Sequence, residues 1–116
     1  MNVQDRVRLQ HMLDAALEAR LFIENRKRDD LNADRQLVLA LTKTVEIIGE
    51  AASRVSTEFK QEYPELPWVD IVGMRNRLIH AYFDINLDIL WDTVVYNLPP
   101  LIDVLQELLQ ADASNG

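Results

Sequence analysis

Apolar residues recur at the spacing of an α-helix along most of the chain. The pattern is clearest between Val38 and Val55, where apolar positions follow one another at steps of three and four residues. Asn32 or Asp34 is the expected N-terminal cap of this helix, because a short polar side chain can accept a hydrogen bond from a free backbone N–H group. Gly49 lies inside the helix, where glycine costs about 1 kcal/mol relative to alanine. We therefore expect the backbone of another helix to pass close to Gly49.

Two further helical segments flank this stripe. The first helix should span about 2–25, with leucine and alanine side chains facing inward. The polar stretch 24–30 then turns the chain. A short helix or turn containing Phe59 should end at Tyr63, because the following Pro64 disfavours a helical backbone in the residue before it.

The second half of the chain predicts two more helices. Pro67 suits the first turn of a third helix, which should fade near Asp84. Asn86 can cap a fourth helix. Pro99 and Pro100 interrupt its apolar pattern, so this helix should kink there or restart with a proline in its first turn.

Together these segments predict an all-α fold. Long periodic stretches, only three glycines and short connections favour an antiparallel four-helix, up-and-down bundle with one short extra helix. We expect a single domain over 1–110 and a flexible tail over 111–116. Because a chain of 116 residues leaves much of its surface exposed, we also expect a homodimer.

Charge is distributed unevenly along the chain. The formal net charge is −7, from 12 Lys and Arg against 19 Asp and Glu. Residues 1–60 hold ten acids and ten bases, so the whole negative charge lies in 61–116. The only two bases in that half are Arg75 and Arg77. An isolated basic pair in an acidic half suggests a local site for an anion.

Composition excludes several classes of function. Cysteine is absent, which excludes disulfides, thiol nucleophiles and zinc ribbons, and with only two histidines we expect no metal site and no cofactor. A glycine-rich phosphate loop is also missing. No apolar run approaches the ~18–20 residues of a membrane span, and the start of the chain lacks the features of a signal peptide. We therefore expect a cytoplasmic protein without a membrane partner.

The candidate chemistry lies near the predicted end of the third helix. On a continuous helix, Asn76 and His80 are neighbours four residues apart, and Arg77 is also within reach of His80. Arg75 would point roughly 140° away from His80. Because one straight helix cannot aim both at one small target, a second copy of the helix in a symmetric dimer could complete the site.

These residue types suit cleavage of an RNA phosphodiester. His80, with an ordinary imidazole pKa of about 6.5, can give or take a proton at cellular pH. Arg75 and Arg77 can bind phosphate and stabilise developing charge, while Asn76 can orient His80. The ribose 2′-hydroxyl can serve as the nucleophile without a metal. From spacing alone, the simpler interpretation of these Arg, Asn and His residues is a solvated helix end. Cations are also favoured there by the helix dipole.

The stretch GMRNRLIHAYFDIN at 73–86 contains an Arg-x4-His-x-Tyr pattern formed by Arg75, His80 and Tyr82. The chain resembles the HepT-like branch of the HEPN superfamily, the toxins paired with minimal nucleotidyltransferases in toxin–antitoxin modules. The segments VEIIGEAASRV at 45–55 and NLPPL at 97–101 are also similar to that family.

The resemblance implies roles for individual residues. Arg75 and His80 would be the catalytic residues of a metal-independent endoribonuclease, with Asn76 the polar residue that follows the arginine; the role of Arg77 stays open. Tyr82 would be the tyrosine to which the cognate nucleotidyltransferase antitoxin attaches AMP, silencing the toxin. The resemblance also implies helical homodimers whose two motifs meet in a cleft that takes an RNA substrate.

Two alternatives to a ribonuclease toxin remain open. One is a non-catalytic helical binding module that docks onto a nucleotidyltransferase and is modified by it. The other is a helical dimer without activity. Two further basic features have simpler interpretations. Arg26-Lys27-Arg28 is expected to be a solvated turn and only a minor candidate for an RNA track, and His11 is expected to be a surface or partly buried helix residue.

Overall fold

The computed structural model describes residues 1–81 and 84–115, and it describes only the backbone of His80, Ala81 and Asn115. The chain is helical over most of this length. The elements in chain order are α1 (Val3–Phe22), α2 (Asp30–Ala33), α3 (Arg35–Ser53), α4 (Thr57–Glu62), α5 (Trp68–Val72), α6 (Met74–Leu78), β1 (Ile79–Ala81), β2 (Asp84–Ile85), α7 (Leu87–Asp92), a π-helical segment (Thr93–Asn97) and α8 (Leu98–Asn115).

Polar caps fix where the predicted helices begin. The Asn2 side chain accepts a hydrogen bond from the Asp5 backbone N–H at 2.7 Å and starts α1. Asp34 accepts one from the Leu37 N–H at 3.1 Å and starts α3, as expected for one of its two candidate caps. The helix containing Phe59 is also confirmed, since α4 ends before Tyr63.

Gly49 marks the closest contact between α3 and the segment that carries the candidate site. A Cβ atom at this position would lie 3.2 Å from the Val72 carbonyl oxygen and 3.4 Å from that of Ile71. The predicted close approach is confirmed, and its partner is the backbone of α5. Glycine is therefore what allows α5 to lie directly against α3.

The prediction of one continuous third helix from Pro67 to near Asp84 is wrong. The segment is divided at Gly73 into α5 and α6, and α6 ends at Leu78, well before Asp84. Ile79 is already extended, with φ −106 and ψ 108, and the Asn86 N–H donates to the Leu78 carbonyl at 2.7 Å. This long-range hydrogen bond and the β-branched Ile79 favour an extended chain over another helical turn.

A two-stranded ribbon takes the place of the missing helical turns. Strands β1 and β2 pair antiparallel, with Ile79 opposite Ile85 and Ala81 opposite Asp84. The register shifts by one residue between Ile79 and Ala81. The backbone of His80 therefore lies at a bulge-like irregularity, a feature that re-aims side chains where it occurs in sheets.

The C-terminal helices follow the prediction of a capped and interrupted fourth helix. The Asn86 side chain accepts a hydrogen bond from the Ile89 N–H at 3.0 Å and starts α7. The π-helical segment Thr93–Asn97 then leads directly into α8, with Pro99 and Pro100 in the first turn of α8. A proline ring cannot pack beneath the carbonyl of a regular preceding turn, so the wider π turn accommodates the pair.

Helix α8 runs further than expected. Residues 111–115, for which the sequence predicts a flexible tail, continue the helix to Asn115. Asp112 forms ion pairs with the N-terminal amine at 3.8 Å and with Arg6 at 3.6 Å. These contacts hold the end of α8 beside the start of α1.

One hydrophobic core joins the helices. Helix α1 packs on α3 and α8, and α5 and α6 pack on α3. The largest fully buried side chains are those of Leu9, Met12, Val38, Leu41, Val45, Ile48, Leu78, Leu90, Leu98, Ile102 and Leu105. The predicted all-α class is confirmed in its helical character, and α5 and α6 stand where a third long helix is predicted. Within the described residues, no helix is both long enough and apolar enough to cross a membrane.

Candidate active site

Arg75 lies on α6 and reaches across to α3. Its Nε donates to the Glu46 Oε1 at 3.0 Å. The Arg75 side chain is 50% exposed and that of Glu46 is 32% exposed. The ion pair engages the guanidinium group at Nε, and half of the Arg75 side chain stays accessible to an anion.

A polar cleft of about 300 Å³ opens beside this pair. Its described lining residues are Glu46, Gly49, Glu50, Ser53, Val72, Arg75 and Asn76. Gly49 forms part of the wall, so the same glycine that lets α5 approach α3 also brings Arg75 within reach of Glu46. In a single chain, this lining contains one cation and two carboxylates.

Arg77 points to a different part of the molecule. Its Nη1 lies 3.6 Å from the Asp70 Oδ1, and it lines a separate cavity of about 590 Å³ between α5, α6 and the C-terminal helices. Arg75 contacts α3 instead. The structure therefore does not bring the two arginines of the isolated basic pair together within one chain.

His80 lies on β1, two residues after the end of α6. The expectation that Asn76 and His80 share a helical face is wrong, because the backbone is extended from Ile79 onwards. Asn76 is exposed and lines the Arg75 cleft. The side chain of His80 and the whole of Tyr82 lie outside the described residues, so their predicted roles stay predictions.

Sequence reasoning missed Glu46 and Glu50 as neighbours of Arg75. Both belong to α3, one helical turn apart, and Glu46 lies three residues before Gly49. The available signal was that Glu46 lies on the same face of α3 as Gly49, because the face that carries a close-contact glycine must meet another element. Which element this is depends on the break between α5 and α6, and the continuous apolar pattern gives no sign of that break.

In the other basic run of the sequence, 26–28, both arginines are paired with acids. Arg26 bonds Asp34 at 3.2 Å, and Arg28 bonds Asp88 at 2.7 Å. These pairs support the interpretation of 26–28 as a solvated turn.

Comparison with known proteins assigns the chain to a family. The model of the family described as "Ribonuclease HepT-like" matches residues 12–108, which include the whole Arg-x4-His-x-Tyr pattern. No solved structure matches the chain significantly.

Individual relatives agree with the family match. The chain is 36% identical over 107 residues to "Putative RNase TTE0752" of Caldanaerobacter subterraneus subsp. tengcongensis, covering 90% of this chain and 93% of the relative. It is 38% identical over 80 residues to "Probable ribonuclease HepT" of Thermococcus cleftensis, covering 69% of this chain and 73% of the relative. The helical fold, the intact motif and these matches lead to one conclusion: the chain belongs to the HepT-like ribonuclease family of the HEPN superfamily.

Proposed function

We propose that this protein is a metal-independent endoribonuclease and the toxin of a toxin–antitoxin module. The observation that carries the proposal is Arg75. In a chain of the HepT-like family, it brings a half-exposed side chain to the lining of a polar cleft, five residues before His80. A fixed cation beside an open cleft suits recognition of a phosphodiester.

The proposed reaction is transfer of the phosphorus from one ribose oxygen to another. The 2′-hydroxyl attacks the adjacent phosphorus while its proton passes to a base, for which His80 is the candidate. The new bond joins O2′ to phosphorus, the bond from phosphorus to O5′ breaks, and the departing O5′ takes up a proton. Arg75 stabilises the charge that builds on the non-bridging oxygens. Asn76 and Arg77 have supporting roles in this proposal.

A second copy of the chain completes the proposed site. Within one chain, Glu46 and Glu50 outnumber Arg75 in the cleft, which disfavours entry of a polyanion. A facing protomer would bring a second Arg75 and His80. Val72 lines the cleft and is 38% exposed, and Val69, three residues before it on α5, is 86% exposed, so α5 offers apolar surface for such a contact. A dimer of helical bundles is therefore the proposed assembly.

Tyr82 is the proposed point of control. It follows His80 by two residues, and a cognate nucleotidyltransferase would attach AMP to its hydroxyl. The added phosphate would compete with RNA for Arg75. Incubation with the partner and ATP should add the mass of one or more AMP groups to the peptide containing Tyr82, and Tyr82→Phe should remove that gain. Modification of Tyr82→Phe to the same extent would contradict this assignment.

The products of cleavage test the proposed reaction. In EDTA, the purified protein should convert RNA into fragments ending in a 2′,3′-cyclic phosphate and a 5′-hydroxyl. A 2′-deoxyribose at the cleaved position should block cutting there, because the nucleophile is then missing. Fragments with 5′-phosphate ends, or cutting at the deoxyribose, would overturn the mechanism.

A further inference from the structure

A basic hollow lies next to the Arg75 cleft. It has a volume of about 200 Å³ and is lined by Arg8 and His11 of α1, by Ile47, Glu50 and Ala51 of α3, and by Arg54 at the C-terminal cap of α3. At neutral pH, two arginines face one carboxylate in this hollow. In a chain with a net charge of −7, a local excess of cations is a distinctive surface.

The hollow borders the proposed active site. Glu50 lines both the hollow and the Arg75 cleft. Arg75 bonds Glu46 at 3.0 Å, while Arg54 bonds Glu50 at 3.2 Å. Because Glu46 and Glu50 are one turn apart on α3, their two arginine partners are anchored at points about 6 Å apart along the helix.

We propose that this hollow is a second phosphate subsite, which holds the RNA backbone on one side of the phosphodiester to be cut. Arg54 and Arg8 bind a phosphate adjacent in the strand to the one at Arg75. Neither Arg8 nor His11 has an acidic partner within ion-pair distance among the described residues. His11 lines the hollow together with the apolar side chains of Ile47 and Ala51, and an imidazole ring in such surroundings suits stacking of a base.

This inference rests on the proposed ribonuclease function and supplies the cations that the Arg75 cleft lacks. Arg77 points away from the Arg75 cleft, so the acidic second half of the chain supplies one cation there. Binding of a single strand depends on a charged groove that tracks several phosphates. The additional cations come from the first half of the chain, through the paired helices α1 and α3.

The fold supplies a matched control for the two arginines. Helices α1 and α3 are antiparallel, since Asp5 near the start of α1 bonds Ser56 just after α3. Arg8 and Arg54 lie at this end, whereas Arg20 and Arg35 lie near the opposite ends of the same helices. Both control arginines are exposed. Each double variant therefore removes two positive charges from the same pair of helices.

The experiment measures binding separately from cleavage. A fluorescent single-stranded DNA oligonucleotide of mixed sequence, which lacks the 2′-hydroxyl nucleophile and cannot be cut, is titrated with the wild-type protein over a range of salt. Arg8→Gln/Arg54→Gln should raise Kd about tenfold at low salt and reduce the slope of log K against log salt by about 1.4, the value for two contacts on a single strand. Arg20→Gln/Arg35→Gln should change Kd less than about twofold, and Arg8→Lys/Arg54→Lys should restore most of the affinity.

Each other outcome decides against the subsite or against the ribonuclease. Equal losses in both glutamine variants, or no loss in either, would overturn the subsite. Tighter binding of ATP than of the oligonucleotide, lost with Arg8 and Arg54, would assign the hollow to a free nucleotide instead. If the binding pattern holds while the wild-type protein cuts no RNA, the subsite stands and the proposed ribonuclease activity fails.

Discussion

At the scale of single residues, the ion pair between Glu46 and Arg75 controls how an anion meets the proposed site. A phosphate that binds Arg75 must share its guanidinium with a carboxylate 3.0 Å from Nε. Glu46 thus orients Arg75 and also competes with the substrate. The two effects can be separated by two substitutions.

Glu46→Gln keeps a hydrogen-bond acceptor for Arg75 and removes the competing charge. We expect KM for RNA to fall by up to about fivefold with kcat nearly unchanged, since half-exposed ion pairs contribute about 0.2–1 kcal/mol. Glu46→Ala should instead lower kcat, because Arg75 loses its orientation. Steady-state kinetics would show the split, with Glu58→Gln on α4 as an exposed control. A rise in KM for Glu46→Gln would contradict this role.

Asp5 is a buried charge whose partners the sequence does not reveal. It is 3% exposed, and its carboxylate accepts hydrogen bonds from the Ser56 backbone N–H at 2.8 Å and the Ser56 hydroxyl at 2.6 Å. Asp5→Ala should lower the free energy of unfolding by about 1–3 kcal/mol, because two donors lose their partner. Urea denaturation would measure the loss. Asp14→Ala, on the exposed side of α1, should change stability by less than about 0.5 kcal/mol, and an equal loss there would refute the explanation.

These residues show why local pattern reaches only part of the site. Asp34 and Asn86 are predictable as caps, because each acts on a backbone N–H three residues away. Asp5 and Glu46 act on residues 51 and 29 positions distant, so their roles depend on tertiary packing.

At the scale of elements, the contact of α3 with α5 positions the cleft. The periodicity of α3 and the position of Gly49 predict that a backbone passes there, and the structure confirms it. The end of α6 is not predictable in the same way. Leu78, Ile79 and the residues beyond fit an apolar helical stripe, but the hydrogen bond from Asn86 to Leu78 ends the helix from outside it.

Gly49→Val tests this contact. A Cβ at Gly49 would already lie 3.2 Å from the Val72 carbonyl, and the two methyl groups of valine would force α5 away. We expect a loss of about 1–3 kcal/mol in stability and a displaced Arg75. RNA cleavage should fall further than the unfolded fraction explains. Ala40→Val, on a less crowded part of α3, is the control, and equal effects of the two substitutions would contradict the account.

At the scale of the whole molecule, the proposed active unit is a pair of chains. From the sequence, a dimer is expected because a straight helix cannot aim Arg75 and His80 at one target. In the structure, His80 lies on β1 and not on that helix, so this argument no longer applies. The excess of carboxylates over cations in the single-chain cleft is now the reason to propose a dimer. The length and the net charge of the chain do not indicate which surface forms the dimer contact.

Mixing two inactive variants tests a shared site. If Arg75 of one protomer acts with His80 of its partner, Arg75→Ala and His80→Ala refolded together should recover about a quarter of wild-type activity. Half of the chains then pair as mixed dimers, and each mixed dimer holds one intact site of two. No recovery, with mixed dimers shown by mass spectrometry, would mean that each site uses one chain alone.

The central claim is that Arg75 and His80 together cut RNA without a metal. The most direct measurement is the cleavage rate of one RNA in EDTA by wild type, Arg75→Ala, His80→Ala and the control Arg20→Ala, with folding checked by circular dichroism. We predict cutting by wild type and Arg20→Ala, and a loss of about 10²–10⁴-fold in His80→Ala, with a comparable loss in Arg75→Ala. Wild-type rates in folded His80→Ala would contradict the account.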